Sequence, residues 1–189
     1  MGALLAGLVV FAVLAMLVVT AVDRERDAEE IGPALTIGVW FAYLVHADTV
    51  LTAAYMDVGR VPVPRVAALA AGAALIAVGA GLFAWATRTL VRRGGFTGLV
   101  STRLVTDGPY VWMRHPQDVG WATMLLGIAI AGRSPVAVVL VAVFAGFVSR
   151  LWRADERQLE ERFGEAFLQY RERTPAVARP ARTARAVRA

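Results

Sequence analysis

Cysteine and lysine are both absent from this chain of 189 residues, and histidine occurs only as His46 and His115. The first absence excludes a disulfide framework and any thiolate metal site. The second excludes Schiff-base or other lysine chemistry, because all twenty basic residues are arginines. Two lone histidines do not make a multi-histidine metal cluster. Charge is scarce as well: charged residues are 19% of the chain against 58% hydrophobic ones. What the chain has in plenty is apolar sequence, and its mean hydropathy of +0.57 is that of a membrane protein rather than a soluble domain.

Residues Ala3 to Val22 form an unbroken run of twenty in which Thr20 is the only polar side chain. As a helix this run rises about 30 Å, the thickness of a bilayer core. No arginine precedes it and it is longer than the apolar part of a secretory leader, so it reads as a span. Four further apolar segments follow, over Pro33–Met56, Val66–Leu90, Val119–Ala131 and Pro135–Leu151. The last two are short, since a span needs about 17 to 25 residues. Arg133-Ser134-Pro135 between them reads as a tight turn, which predicts a helical hairpin. In the third segment Ala73, Ala77 and Gly81 recur every fourth residue and predict a close helix–helix contact. The expected fold is all-α: a polytopic membrane protein with about five transmembrane helices and one domain over residues 1–174.

The arginines predict the topology. Five lie between Arg88 and Arg114 and ten between Arg150 and Ala189, whereas the hairpin turn has only Arg133 and the second connection Arg60 and Arg65. Positive loops stay cytoplasmic, which puts the long loop and the C-terminus inside. The all-arginine bias suggests a GC-rich genome, and a bacterial inner membrane is the expected location. After the fifth segment, Leu159, Phe163, Phe167 and Tyr170 form one apolar stripe within charged sequence. That spacing predicts an amphipathic helix over Arg153–Glu172 lying along the membrane face. The remainder, residues 175–189, reads as a basic, disordered tail able to touch anionic headgroups.

Chemistry concentrates in two places. One is "DGPYVWMRHPQDVGW", residues 107–121, with Arg114 and His115 among prolines, glycines and tryptophans. The other is Asp155-Glu156 at the start of the charged segment. An antiparallel hairpin brings its two ends together, so His115 and Glu156 are predicted to be neighbours despite forty intervening residues. Read singly, His115 fits a turn residue, and the acidic pair fits a helix start, where it meets the positive end of the dipole. Gly94, Gly95 and Gly98 in "RRGGFTGL" lack the strand-then-helix context of a phosphate loop and read as a turn. His46 and Asp48 lie inside an apolar segment, where ionisable groups are functional candidates by default.

Together, "LVTDGPYVWMRHPQDVG" and "DERQLEERFGEAFLQYRERTP" resemble the isoprenylcysteine carboxyl methyltransferase and phospholipid methyltransferase superfamily of integral-membrane enzymes. The resemblance covers residues 99–175 and the helix layout. It implies S-adenosylmethionine as cofactor and a lipidic or small hydrophobic acceptor from the bilayer, an isoprenylcysteine carboxylate foremost, with no metal and no nucleic acid. Carried over by motif, Gly108, Pro109, Tyr110, Arg114, His115, Pro116 and Gly120 would line one side of the cofactor, and Glu156 and Tyr170 the other. Four positions depart from the family wording: Asp118 and Phe167 stand for tyrosines, Asp155 for glutamate and Val111 for arginine. Asp118, with Asp48 and His46, is a candidate substrate contact.

For catalysis, a carboxylate acceptor needs no base, and a two-pronged arginine could hold it; Arg150 and Arg153 are the candidates. An amine or thiol would need a proton acceptor, for which Glu156, Asp118 or His115 could serve. Two alternatives stay open: an NADPH-dependent membrane reductase of the steroid-reductase type, whose C-terminal wording is similar, and a non-catalytic scaffold.

Overall fold

The computed structural model describes residues 2–24, 33–56, 60–93 and 103–178. They form α1 (Gly2–Arg24), α2 (Pro33–Tyr55), α3 (Arg65–Arg92), α4 (Pro116–Ala131), α5 (Pro135–Phe163) and α6 (Glu165–Arg173), with a 3-10 turn at Gly108–Val111. There is no strand among the described residues. Among the described residues, four helices are long and apolar enough to cross a membrane: Leu4–Ala21, Ala34–Tyr55, Arg65–Arg92 and Pro135–Phe163. α4, of 16 residues, rises only about 24 Å and falls short of that length. The protein is an all-α polytopic membrane protein. The glycine turn expected at Gly94, Gly95 and Gly98, and the tail beyond residue 178, lie outside the described residues.

The hairpin forms as its turn residues dictate. Pro135 starts α5, and the Ser134 hydroxyl caps it by accepting from the Ala137 amide at 3.2 Å. The same hydroxyl donates to the Ala53 carbonyl at 3.1 Å, tying the turn to the end of α2. Arg133 takes a left-handed φ of 55° to let the chain reverse.

α3 and α4 pack backbone to backbone. A Cβ added at Gly72 would lie 2.6 Å from the Gly127 carbonyl, and one at Gly79 2.6 Å from that of Gly120. In lipid, where burial alone does not drive helices together, such close approach lets dispersion do so. The expected stripe is therefore corrected: Ala73 and Ala77 are exposed and Gly81 has nothing within 4 Å. α3 is so rich in alanine and glycine that several faces look small, and only Gly72 and Gly79 find glycines opposite.

A second correction concerns the C-terminal helix. α5 does not stop at the membrane but runs through the charged segment to Phe163, breaking at Gly164, where φ is +51°. α6 then turns back. Its Phe167 and Tyr170 are buried and cover the protein's own loop instead of lying on the membrane face. The start of the expected tail is also fastened, with Pro175 and Ala176 accepting backbone hydrogen bonds from Arg114 and His115 at 3.0 and 3.3 Å.

Candidate active site

Four chain directions meet at one end of the bundle: the early turns of α2, the last turns of α3, the start of α4 and the charged part of α5. The loop before α4 is shaped by Gly108, at φ +59°, which sits where a Cβ would meet the Thr89 hydroxyl at 2.8 Å. Pro109 follows, fully buried, at the start of the 3-10 turn. The buried Tyr170 hydroxyl donates to the Tyr110 carbonyl at 2.7 Å, so α6 clasps the loop. Burial raises the phenols of both Tyr110 and Tyr170 well above the ordinary value, and both stay neutral.

Arg114 and His115 converge on one carboxylate oxygen. Arg114 donates to Glu156 Oε1 through Nε at 2.9 Å and Nη2 at 2.7 Å, while its Nη1 donates to the carbonyls of Thr174 and Arg171 at the end of α6. His115 Nε2 lies 3.0 Å from the same Oε1; as a carboxylate only accepts, this nitrogen carries the proton. The imidazole stacks on Trp152 at 4.6 Å with 5° between planes, and its Nδ1 is 3.8 Å from Asp155 Oδ2. At the indole edge of Trp152, Asp118 accepts from the Tyr43 hydroxyl at 2.7 Å through Oδ1 and from Trp152 Nε1 through Oδ2.

Two cavities meet here. The larger, about 650 Å³, includes Trp40, Tyr43, Phe83, Gln117, Asp118, Leu151 and Trp152 in its wall. The smaller, about 410 Å³, includes Leu90, Arg103, Val105, Glu156, Leu159, Phe167 and Tyr170. Tyr110, Arg114, His115 and Asp155 line both.

The predicted residues divide. Tyr110, Arg114, His115, Asp118, Glu156 and Tyr170 come together at the cavities. Gly108, Pro109 and Pro116 shape the loop from beneath, and Gly120 is spent on the contact with Gly79. Arg150 and Arg153 do not join them: both are exposed on the outer side of α5, and neither lines a cavity. His46 is fully buried among Phe11 and Phe144, within 2.9 Å of the Leu140 carbonyl. Asp48, two residues on and so about 200° round the helix, is exposed and away from both cavities. Sequence reasoning missed Tyr43, Trp40, Phe83 and Trp152. Only Trp152 left a signal, one turn before Asp155-Glu156 on the same face of α5.

The family model for phospholipid methyltransferase matches residues 67–166, which is 100 of 189 residues. The chain belongs to the phospholipid methyltransferase family. The match runs from the start of α3 to the start of α6 and contains Tyr110, Arg114, His115, Asp118, Asp155 and Glu156. Among curated proteins, this family member is similar to protein-S-isoprenylcysteine O-methyltransferase of Xenopus laevis, 33% identical over 82 residues, 40% of this chain and 26% of that one. The protein of the same name from Homo sapiens is 34% identical over 79 residues, 38% of this chain and 26% of the other. That from Schizosaccharomyces pombe is 35% identical over 74 residues, 39% and 31%. The matched stretch thus spans 26 to 31% of the length of these relatives. No solved structure matches the chain.

Proposed function

We propose that this protein is a methyltransferase of the membrane that takes the methyl group of S-adenosylmethionine and places it on a lipidic acceptor entering from the bilayer. The observation that carries the reading is the shared wall: Tyr110, Arg114, His115 and Asp155, all within the family-matched segment, face two adjoining cavities. A two-substrate transfer requires such a boundary, because nucleophile, methyl carbon and leaving sulfur must be held in line.

The smaller cavity fits the cofactor in kind. Asp155 and Glu156 suit its cationic amino and sulfonium groups, Arg103 its carboxylate, and Leu90, Leu159 and Phe167 its adenine. When bound, S-adenosylmethionine supplies an electrophilic methyl on a cationic sulfur. The chain's own residues bind and orient. Arg114 and His115 fix the Glu156 carboxylate, and the clasp of Tyr170 on Tyr110 holds the loop that carries them. By the arginine distribution this end of the bundle faces the cytoplasm, where a soluble cofactor is supplied.

The relatives' name points to an isoprenylcysteine carboxylate as acceptor and the family's to a phospholipid; both are amphiphiles. The family favours methyl transfer over the reductase alternative. Calorimetric titration of the purified protein in neutral detergent with S-adenosylmethionine and, separately, NADPH tests the reading. Binding of S-adenosylmethionine alone is expected. Binding of NADPH alone, or of neither, refutes it.

A further inference from the structure

Neither Asp118 nor Trp152 lines the smaller cavity, yet a single file of contacts runs through both of them to the Glu156 carboxylate, which does. It starts on α2, where the Tyr43 hydroxyl donates to Asp118 Oδ1 at 2.7 Å. Asp118 stands in the first turn of α4, which Gln117 fastens to α3 by donating from Nε2 to the Thr87 hydroxyl at 2.9 Å. Asp118 Oδ2 accepts from Trp152 Nε1 on α5. The Trp152 ring is only half-buried and borders the larger cavity, so packing alone leaves it room to tilt. Its N–H gives it a direction, since a hydrogen bond weakens steeply once bent. The indole in turn sets the imidazole of His115, which stacks on it at 4.6 Å with 5° between planes. On its other nitrogen His115 has no such guide: Nδ1 lies 3.8 Å from Asp155 Oδ2, beyond hydrogen-bond range. A ring N–H donates in the plane of the ring. The tilt of the indole therefore decides whether Nε2 points at Glu156 Oε1, 3.0 Å away.

We infer that Asp118 is a positioning residue for the cofactor site: by holding the Trp152 indole it sets the His115 ring, and through that ring the Glu156 carboxylate. This rests on the methyltransferase reading, with the smaller cavity as the cofactor's, and it places part of the control of cofactor affinity in the neighbouring cavity. Asp118 is one of the positions at which the chain departs from its family's wording, so the device belongs to this chain's own residues. What its carboxylate supplies is direction, not charge. An uncharged acceptor of the same shape can therefore replace it, whereas an apolar side chain of the same size cannot.

The test titrates the full chain in neutral detergent with S-adenosylmethionine by calorimetry. Asp118→Leu removes the acceptor and should weaken binding about tenfold, although residue 118 does not line the cofactor's cavity. Asp118→Asn keeps an oxygen for the indole and should stay within about threefold of the parent. Trp152→Phe keeps a ring against His115 but has no N–H, and should weaken binding about fivefold. In that background Asp118→Leu should add no more than a further factor of about two. Equal losses in Asp118→Asn and Asp118→Leu would mean that the negative charge acts directly on the cationic cofactor, and overturn the inference. An Asp118→Leu loss of the same size with and without Trp152 overturns it too. If Asp118→Leu fails to fold, Trp152→Phe decides, and unchanged affinity in that variant is the overturning result. Proton NMR adds a readout that general loosening does not mimic. The Trp152 indole N–H, identified by its absence from Trp152→Phe, should lie downfield of those of Trp40, Trp85, Trp112 and Trp121 and shift back in Asp118→Leu. A Trp152 signal among the other four in the parent overturns the inference. Parent affinity retained by every variant overturns the inference alone, whereas a parent that binds no S-adenosylmethionine overturns the methyltransferase reading with it.

Discussion

The two ends of α4 are held in opposite ways. From Gly120 to Gly127 the helix lies against α3 through glycines, with carbonyl oxygens where side chains would be and no charge involved. Below Gly120 the same helix begins at His115 and Asp118, amid carboxylates, indoles and a committed arginine. The glycine seam is stiff because backbone lies directly against backbone there. The polar end is stiff because Arg114, His115 and Asp118 each have partners with a direction. A site that must align reacting atoms needs both: a seam that fixes the helix along its axis, and a network that fixes side chains about it.

The seam should give the largest effect when broken. Gly79→Leu drives a side chain into the Gly120 carbonyl, and a loss of about 3 kcal/mol or outright misfolding is expected; thermal unfolding in detergent measures it. Gly81→Leu, two residues away in open space, is expected to change stability by no more than about 0.5 kcal/mol. If both variants unfold alike, the seam is misplaced.

Glu156→Gln strikes the polar end instead. It leaves Arg114 and His115 without their shared carboxylate, which costs about 2 kcal/mol of stability and should reduce S-adenosylmethionine affinity at least about tenfold. Unchanged affinity in a folded variant would remove Glu156 from the cofactor site. Tyr170→Phe removes one buried hydrogen bond, at about 1 kcal/mol, and should speed hydrogen exchange of the loop amides around Tyr110. Because burial raises this phenol in the folded state, its contribution is whole below the ordinary phenol value of about 10 and fades only as pH climbs above it. A Tyr170-dependent loss of stability between pH 7 and 9, present in the parent and absent from Tyr170→Phe, would contradict that sign. The smallest effect is expected from Arg150→Ala and Arg153→Ala, whose exposed positions predict changes within about 0.5 kcal/mol and no change in cofactor affinity. A large loss of turnover in either would restore them as acceptor contacts.

Much of the polar end was legible in the chain. Arg114-His115 stands out because charge is rare beside it, Asp155-Glu156 opens the charged segment, and a hairpin turn at Arg133-Ser134-Pro135 brings the two together. Trp40, Tyr43, Phe83 and Trp152 were not legible, since aromatic residues in apolar helices look alike whether they pack, face lipid or line a cavity. The seam was half legible: that α3 carries a small-residue face follows from its composition, but which face does not.

The sequence by itself determined the membrane-spanning helices, the hairpin and the meeting of the Arg114-His115 loop with Glu156. Only the tertiary structure decided how each helix is rotated about its own axis. That rotation sends Tyr43 and Trp152 to Asp118, turns Asp48, Arg150 and Arg153 outward, and selects Gly72 and Gly79 over Ala73, Ala77 and Gly81. The reason is physical: a helix that is apolar all round has no preferred face toward lipid, so its rotation is set by close packing and by the few polar partners it can reach.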